Sequence, residues 1–159
     1  MKNIKHEYKF MKVAVNEAYK GMRFGEGGPF GSVIVKNAKI ISRGHNMVVK
    51  TNDPTSHSEI VAIRRATKKL KRFDLSDCKI YSSCEPCPMC LAAIYWAKIR
   101  KLYFCCTKDD AENIRFDDKF IYGELRKKEK GRLKAIRVEG DFCTQLFKEW
   151  KLKKDKVRY

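Results

Sequence analysis

The side chains of this chain that are best suited to chemistry lie in two fragments about thirty positions apart, His57-Ser58-Glu59 and Pro86-Cys87-Pro88-Met89-Cys90. Cys87 and Cys90 are three positions apart at a predicted helix start, so both sulfurs face the same side. The positive end of that helix favours the thiolate forms that zinc binds. His57, before another predicted helix, can add a neutral imidazole. The spacing therefore predicts a Zn²⁺ ion bound by His57, Cys87 and Cys90.

Three protein ligands leave the fourth position of a tetrahedral zinc ion open, which is typical of catalytic sites and not of structural ones. Water can enter that position and is activated there as a nucleophile. Glu59 is not required as a ligand, and in the first turn of its predicted helix the carboxylate can overhang that water. We expect Glu59 to act as the proton carrier, taking a proton from the water and passing it to the substrate.

Each fragment also has a less specific interpretation. Ser56-His-Ser-Glu59 fits the S-x-x-E capping box, in which Glu59 only hydrogen-bonds the helix start. The three cysteines from Cys84 to Cys90 share the spacing of an iron–sulfur site, but that site needs a fourth nearby cysteine before a proline. Residues 91–100 contain no cysteine. Because both fragments together match the H-x-E and P-C-x-x-C signature of zinc deaminases, we favour a deaminase.

The other cysteines and the apolar runs indicate the compartment. We expect Cys84 to support the site or to pack, and four others to be buried apolar thiols: Cys78, Cys105, Cys106 and Cys143. Seven cysteines without a signal-like N-terminus are typical of thiols and metal ligands, which predicts a cytoplasmic protein. The longest wholly apolar run, residues 91–97, is far shorter than the roughly 18 residues of a membrane span, so no membrane association is expected.

Length and charge bound the architecture and the partners. The 159 residues, with a hydrophobic fraction of 43%, fit a single domain over residues 1–159. The formal net charge is +17, with basic clusters within residues 64–72, 126–137 and 148–158. Such a surface attracts nucleic acid or other polyanions. A lysine-rich composition spread over solvated faces is the simpler explanation, so nucleic acid is an alternative partner that we do not favour.

The remaining pattern predicts the elements that position these residues. Helical spacing of apolar residues predicts five helices, at residues 3–22, 60–70, 88–97, 119–128 and 142–150. Strand-like runs predict a hairpin of residues 30–35 and 39–43 and further strands at 78–82, 101–106 and 135–138, with a loop at 47–56. The strand–helix–strand order over 78–106 implies a parallel right-handed crossover, with 101–106 buried. The fold class is therefore α/β, a mixed central sheet layered between helices.

A closer resemblance is carried by five segments. They are Gly27-Gly-Pro-Phe-Gly31, Asn52-Asp-Pro-Thr-Ser-His-Ser-Glu59, Ser83-Cys-Glu-Pro-Cys-Pro-Met-Cys90, Ala93-Ile-Tyr-Trp96 and Phe116-Asp-Asp-Lys-Phe-Ile-Tyr122. From about residue 7 to residue 159, the chain resembles the bacterial guanine deaminases of the cytidine/deoxycytidylate deaminase superfamily. The resemblance implies a cytidine-deaminase-like three-layer α/β/α fold, a zinc cofactor, and hydrolysis of guanine to xanthine and ammonia in purine salvage.

The resemblance also implies roles in substrate binding. Asn46 would hydrogen-bond the purine, Asp118 would recognise its polar edge, and Phe30 would flank the ring. Family members form homodimers that exchange C-terminal segments, here about residues 140–159, so Tyr159 would close the pocket of the other subunit. Taken alone, these residues have other interpretations: strand core for Phe30, a turn for Asn46, a helix cap for Asp118 and a frayed end for Tyr159.

Two features leave the substrate open. The chain is more basic than a small-purine enzyme needs, and residues 123–146 lack clear family features. tRNA-specific adenosine deaminases share the metal motif and need a cationic surface, while guanosine deaminases resemble this chain around Phe116-Asp-Asp118. Residues 27–31 and 116–122 favour the enzymes that act on the free base. A non-catalytic nucleic-acid-binding module with a structural zinc is a third alternative, and the presence of Glu59 argues against it.

Overall fold

The computed structural model of the chain describes residues 4–116, 118–126, 147, 149–155 and 157. Its main helices are α1 Ile4–Arg23, α2 Val48–Thr51, α3 Ser58–Leu70, α4 Pro88–Trp96, α5 Lys108–Asn113 and α6 Lys119–Leu125. Its strands are β1 Gly31–Lys36, β2 Lys39–His45, β3 Lys79–Cys84 and β4 Lys101–Cys106. The predicted helix at the N-terminus, the hairpin and the strand–helix–strand unit are all present.

The four strands form one mixed sheet in the order β2-β1-β3-β4. β1 is antiparallel to both β2 and β3, whereas β3 is parallel to β4. Asn37 and Ala38 connect β1 to β2 with φ angles of 47° and 58°, the positive values that a two-residue hairpin turn requires. Helix α4 connects β3 to β4, because parallel neighbours need a crossover rather than a tight turn.

Helices cover both faces of this sheet. Successive residues of β1 point to opposite faces, so Val33 and Val35 pack with Phe10 and Ala14 of α1 on one side. The buried cluster on the other side joins β1 and β3 to α3, α4 and their flanking segments: Ile34, Ala62, Ala66, Leu75, Cys78, Ile80, Ile94, Ala97 and Ile99. The predicted α/β fold, a mixed sheet between two helical layers, is confirmed.

Helix α3 approaches the sheet closely. A Cβ atom at Gly44 of β2 would lie 2.5 Å from the carbonyl oxygen of Ser58 and 2.7 Å from the backbone nitrogen of Ala62. Only glycine leaves room for this approach of two backbones. The face of α3 toward the sheet is buried from its first residue onward: Ser58, Glu59, Val61, Ala62 and Ala66. The first turn of α3, which contains Glu59, is therefore fixed against the strands.

Two sequence predictions of local structure are wrong. Residues 47–56 are predicted to be a loop, but α2 forms within them and ends at Asn52, which has a left-handed backbone. Strand β4 is predicted to be buried, but within the described residues it is the edge strand beside β3, and four of its six residues are exposed. Apolar composition does not distinguish an edge strand from a central one. For the same reason the predicted burial of Cys105 and Cys106 is also wrong, since both thiols are exposed. Cys78 is buried as predicted, and Cys84, which is expected to support the site or to pack, is buried too.

The C-terminal predictions are tested only in part. Helix α6 begins at Lys119, as predicted, and α5 is an additional helix. Within the predicted helix at 142–150, residues 147, 149 and 150 are helical. Cys143, Tyr159 and the predicted strand at 135–138 lie outside the described residues. No helix in the described part of the chain combines the length and apolarity that crossing a membrane requires.

Candidate metal centre and active site

The three predicted metal ligands lie at the starts of two helices. His57 directly precedes α3 and Cys87 directly precedes α4, both with extended backbones. Pro88 follows in the first turn of α4, where its missing N–H group costs no helical hydrogen bond. Cys90 lies in the same turn and is fully buried. The two helix N-termini thus bring the three side chains together, and their partial positive charge favours thiolates.

The spacing of the donor atoms fits zinc. Nδ1 of His57 lies 3.5 Å from Sγ of Cys87 and 3.6 Å from Sγ of Cys90, and all three donor atoms lie within 4.8 Å of one another. Tetrahedral zinc with Zn–N bonds of about 2.0 Å and Zn–S bonds of about 2.3 Å separates nitrogen from sulfur by about 3.5 Å. One imidazole and two sulfurs are also a donor set that zinc prefers, so these residues form a candidate zinc site.

The charges of the two sulfurs are coupled. The hydrogen bond from Cys90, followed by that from His57, lowers the pKa of Cys87 to about 4 although burial opposes this shift. The pKa of Cys90 is raised, because its thiol donates to Cys87 and because it is buried. The pKa of His57 is raised mainly by its hydrogen bond with Cys87. These opposite pKa shifts indicate that one of the two sulfurs is ionised when no cation is bound. A divalent cation supplies the positive charge that lets both ionise.

Glu59 is buried beside this site, with 6% of its surface exposed. Ser58 donates a hydrogen bond to its Oε2 atom and Ser82 donates one to its Oε1 atom, each at 2.9 Å. Both oxygens of the carboxylate are therefore held by buried hydroxyl groups. Glu59 lines one cavity together with His57 and Cys87. The structure brings the predicted proton carrier and the predicted metal ligands to one place.

The capping-box interpretation of Glu59 is wrong. The cap position of α3 is His57, and no side chain makes a capping hydrogen bond there. The Ser56 hydroxyl instead donates to Oδ2 of Asp53 at 2.8 Å, within the loop that leads to the helix. The carboxylate of Glu59 is directed toward the sheet and the cavity, so it is available for chemistry that a capping carboxylate could not perform.

The cavity has a volume of about 610 Å³, within the range of about 300–1,000 Å³ that is typical of small-molecule sites. Three of the four predicted substrate-binding residues line it: Phe30, Asn46 and Asp118. The fourth, Tyr159, lies outside the described residues. The structure therefore places these three side chains in the same cavity as Glu59.

An aromatic wall forms one part of this cavity. The rings of Phe30 and Phe116 meet edge to face, with their centroids 5.0 Å apart. Asn46 lies beside them and is buried, and its Oδ1 atom accepts a hydrogen bond from the backbone N–H of Val48 at 3.1 Å. A Cβ atom at Gly27 would lie 2.1 Å from that Oδ1 atom. Gly27 thus lets the loop before β1 pack against the Asn46 side chain. The bond from Val48 to Oδ1 also stabilises the turn that follows Asn46.

Asp118 is held next to the cysteine motif by α6. It occupies the cap position of α6, as the helix-cap interpretation expects, but its side chain makes no capping hydrogen bond. The hydroxyl of Tyr122 donates to the carbonyl oxygen of Pro86 at 3.0 Å and ties α6 to the loop before Cys87. Burial, with the nearby charge of Asp118, raises the pKa of Tyr122 and keeps that hydroxyl protonated as a donor.

Sequence reasoning missed several residues that line the cavity. They are Glu85, Met89, Lys108, Arg115, Phe116 and Ile121. Lys108 begins α5, which the sequence analysis does not predict. A signal for this helix was present, because Thr107 and Asp110 form a reciprocal capping box of the kind that marks helix starts. Ser82, which donates to Glu59, carries no local signal. It lies 23 positions further along the chain on a strand, so only tertiary packing brings it to Glu59.

A buried carboxylate beside a His-Cys-Cys metal site, in a cavity with an aromatic wall, is the arrangement of a metal-dependent hydrolase for a small ring compound. The family model of the cytidine and deoxycytidylate deaminase zinc-binding region matches residues 4–106. The guanine deaminase of Bacillus subtilis (strain 168) is 52% identical over 118 residues, which are 74% of this chain and 76% of that protein.

Two further comparisons agree. The solved structure of guanine deaminase from Bacillus subtilis matches with a TM-score of 0.90 and 42% identity, covering 96% of this chain and 98% of that one. A tRNA-specific adenosine deaminase of Aquifex aeolicus (strain VF5) is 42% identical over 95 residues, which are 60% of this chain and 62% of that protein. The chain belongs to the cytidine and deoxycytidylate deaminase family. It is a zinc-dependent hydrolytic aminohydrolase.

Proposed function

We propose that this enzyme hydrolyses guanine to xanthine and ammonia, a reaction of purine salvage. The observation that carries the proposal is that Glu59 shares one cavity with the residues suited to a purine, Phe30, Asn46 and Asp118. The extent of the likeness supports it, because the Bacillus subtilis guanine deaminase structure matches 96% of this chain. The match to the Aquifex aeolicus tRNA-specific enzyme covers 60%.

In this proposal His57, Cys87 and Cys90 hold the zinc ion. Bound zinc supplies a Lewis acid that makes water nucleophilic at neutral pH. The protein's own contribution is to fix the donor set on two helix starts and to keep Cys87 in its thiolate form, as its lowered pKa indicates.

Glu59 moves the protons of the reaction. Its carboxylate takes one proton from the attacking water and delivers it to the ring nitrogen next to the carbon that bears the amino group. A second transfer, from the newly formed hydroxyl to the amine through Glu59, lets the amine leave as ammonia and regenerates the carboxylate. Because the hydroxyls of Ser58 and Ser82 hold both oxygens, the carboxylate stays aligned through both transfers.

Asp118 favours free guanine over other bases. A carboxylate accepts hydrogen bonds from N–H groups and repels the lone pairs of ring nitrogens. Guanine carries an N–H group in its six-membered ring and, as the free base, another in its five-membered ring, where nucleosides and tRNA carry a sugar. The six-membered ring of adenine offers only acceptor nitrogens. Phe30 and Phe116 supply the apolar faces that a purine ring packs against.

We propose further that the enzyme is a cytoplasmic homodimer whose C-terminal segments, about residues 140–159, are exchanged so that Tyr159 closes the pocket of the other subunit. Two observations support parts of this. The six cysteines in the described residues are free thiols, which supports the cytoplasmic location. Helix α4 exposes 73% of Tyr95 and 65% of Trp96, which supports a subunit interface because aromatic residues are enriched there. Light scattering tests the dimer, and deletion of residues 154–159 tests the closure. A monomer in solution would contradict the dimer. A deletion variant with an unchanged KM for guanine would contradict the closure of the pocket by Tyr159.

The substrate is tested with purified, zinc-loaded protein and a panel of guanine, guanosine, adenine, cytosine, cytidine and an anticodon stem–loop RNA. Ammonia release is measured for each compound, and xanthine is identified by its absorbance. We expect guanine to have the highest kcat/KM. Turnover of another compound without turnover of guanine contradicts the proposal.

The net charge of +17 favours the tRNA-specific alternative. This alternative predicts adenosine-to-inosine conversion in the stem–loop and RNA binding that weakens steeply as salt is added. RNA binding that does not depend on ionic strength would count against it. Stoichiometric zinc without turnover of any compound in the panel would instead favour a non-catalytic module.

A further inference from the structure

Three buried serines form a continuous hydrogen-bonded group with Glu59. Ser58 and Ser82 donate to its two carboxylate oxygens. Ser32 lies behind them, with its Oγ atom 2.8 Å from Oγ of Ser58 and 3.1 Å from Oγ of Ser82. None of the three serines is exposed by more than 1%. Ser32 contacts neither Glu59 nor a metal ligand through these bonds, and it does not line the cavity.

The fold brings the three hydroxyls together from separate parts of the chain. Ser32 of β1 and Ser82 of β3 are opposite each other in the antiparallel register, so their side chains share one face of the sheet. Helix α3 covers that face and begins with Ser58. The next residues of the two strands on this face, Ile34 and Ile80, are apolar and fully buried. Apolar side chains would suit positions 32 and 82 equally well as core, so the hydroxyls serve the carboxylate.

A count of protons shows what Ser32 contributes. Each serine hydroxyl has one proton to donate and can also accept. When Glu59 is ionised, Ser58 and Ser82 both direct their protons to it, and their oxygens are then left as acceptors. The one proton of Ser32 is donated to Ser82, and its oxygen lies 2.8 Å from that of Ser58. Ser32 therefore favours the rotamer in which Ser82 points toward Glu59, and it packs behind Ser58.

We infer that Ser32, Ser58 and Ser82 are positioning residues that hold the Glu59 carboxylate in the one orientation in which it exchanges protons with water and substrate. The inference rests on the proposed role of Glu59 as the proton carrier. A glutamate side chain has three rotatable bonds, and a small misplacement of a reacting group lowers rate far more than it lowers substrate binding. Loss of a serine hydroxyl should therefore lower kcat and leave KM and zinc content unchanged.

The test uses pairs of variants with the same shape. Ser82→Val and Ser82→Thr differ only in the hydroxyl group, and both suit a strand. We expect Ser82→Val to lower kcat by about tenfold, the factor that corresponds to ~1.4 kcal/mol, with KM within about twofold of wild type. Ser82→Thr should retain most of the rate. Ser32→Ala, one contact further away, should lower kcat by about threefold. Ser58→Ala provides an independent measurement if the valine variant does not fold.

Ser42→Ala is the matched control. Ser42 is a buried serine of β2 whose hydroxyl donates to the Ala62 carbonyl oxygen of α3 at 2.7 Å, so its loss removes a similar buried hydrogen bond away from Glu59. It should lower the Tm without changing kcat. A decrease in kcat as large as that of Ser32→Ala would overturn the positioning role, because the effect would then come from general loosening of the sheet.

Zinc content, Tm, kcat and KM are measured for every variant, and crystal structures of wild type and Ser82→Val show the Glu59 side chain. If wild type turns over guanine but Ser82→Val and Ser82→Thr have equal kcat, the inference is overturned and the proposed function stays intact. Wild type that deaminates nothing in the panel overturns the proposed function. In that case the crystal structures still decide: several Glu59 orientations in Ser82→Val support the positioning role, and a single unchanged orientation overturns it.

Discussion

Replacing Glu59 with glutamine removes the proton carrier while changing little else. Glutamine has the same shape, and its carbonyl oxygen can accept from one of the two serines that now donate to the carboxylate, Ser58 or Ser82. The NH₂ group meets the other serine, whose hydroxyl can turn and accept. Both contacts therefore survive in neutral form, and the neighbouring metal ligands keep their positions.

The structure allows the two effects of this substitution to be estimated separately. Hydrogen bonds to a charged group, worth about 1.5–3 kcal/mol each, become neutral ones worth about 0.5–1.5 kcal/mol. Removal of a buried charge from a site that is 6% exposed offsets part of this loss. The unfolding free energy should thus change by less than about 2 kcal/mol. Catalysis instead loses its general acid and base, which lowers kcat by about 10²–10⁴.

The assay follows xanthine formation from guanine, with zinc content and Tm measured on the same preparations. We expect Glu59→Gln to bind one zinc ion per chain and to have a kcat at least about 10²-fold below wild type. Glu112→Gln is the control, because Glu112 lies on α5 and is paired with Lys119 at the surface. A Glu59→Gln rate within tenfold of wild type would refute the proton-carrier role.

Three further predictions concern the substrate, the metal and acid stability. Asp118→Asn should raise KM for guanine by about 10–100-fold, since a charge-assisted hydrogen bond is lost, and an unchanged KM in steady-state kinetics would contradict the assigned contact. Treatment with a chelator should abolish turnover and lower the Tm, and added zinc should restore both; a Tm that does not depend on zinc would contradict a site formed by the folded protein. Hydrogen bonds from the hydroxyl and N–H of Thr55, and then from the hydroxyl of Ser56, lower the pKa of Asp53 to about 2. Its stabilising effect is therefore complete above the unfolded pKa of about 4 and is lost as the pH falls toward 2. Denaturant unfolding of metal-free protein at pH 5 and pH 3 should show a smaller decrease for Asp53→Asn than for wild type, and equal decreases would contradict this effect.

Elements with a repeating local pattern could be predicted from the sequence. Apolar residues at helical spacing define α1, and Phe10 and Ala14 are buried against the sheet as that spacing requires. Helix α2 could not be found in this way, because its four residues bury no side chain. It depends on local bonds, such as the one from the Thr51 hydroxyl to the Met47 carbonyl oxygen, and ends where Asn52 takes a positive φ angle.

Features that depend on how strands far apart in the sequence pair could not be predicted. The composition of β4 suits a buried strand, yet its exposure depends on its place beside β3 at the edge of the described sheet. The serines behind Glu59 show the same limit. Ser32 and Ser82 are 50 positions apart, and only the antiparallel register of β1 and β3 makes them neighbours. The metal site is different, because the motif spacing itself places the ligands on two helix starts.

The structure separates the chemical step from the choice of substrate. The proton carrier lies on α3, which buries five of its side chains against the sheet, so its geometry depends on the core of the protein. The cavity wall that includes Asp118 and Phe116 belongs to the segment after β4, where α5 and α6 bury none of their side chains completely. A segment with so little buried surface can change its side chains or shift at small cost in stability. Substitutions at Ser82 should therefore lower kcat for every compound that is turned over. Substitutions at Asp118 or Phe116 should change the ratio of kcat/KM for guanine to that for guanosine, and the opposite pattern would mean that the core also selects the base.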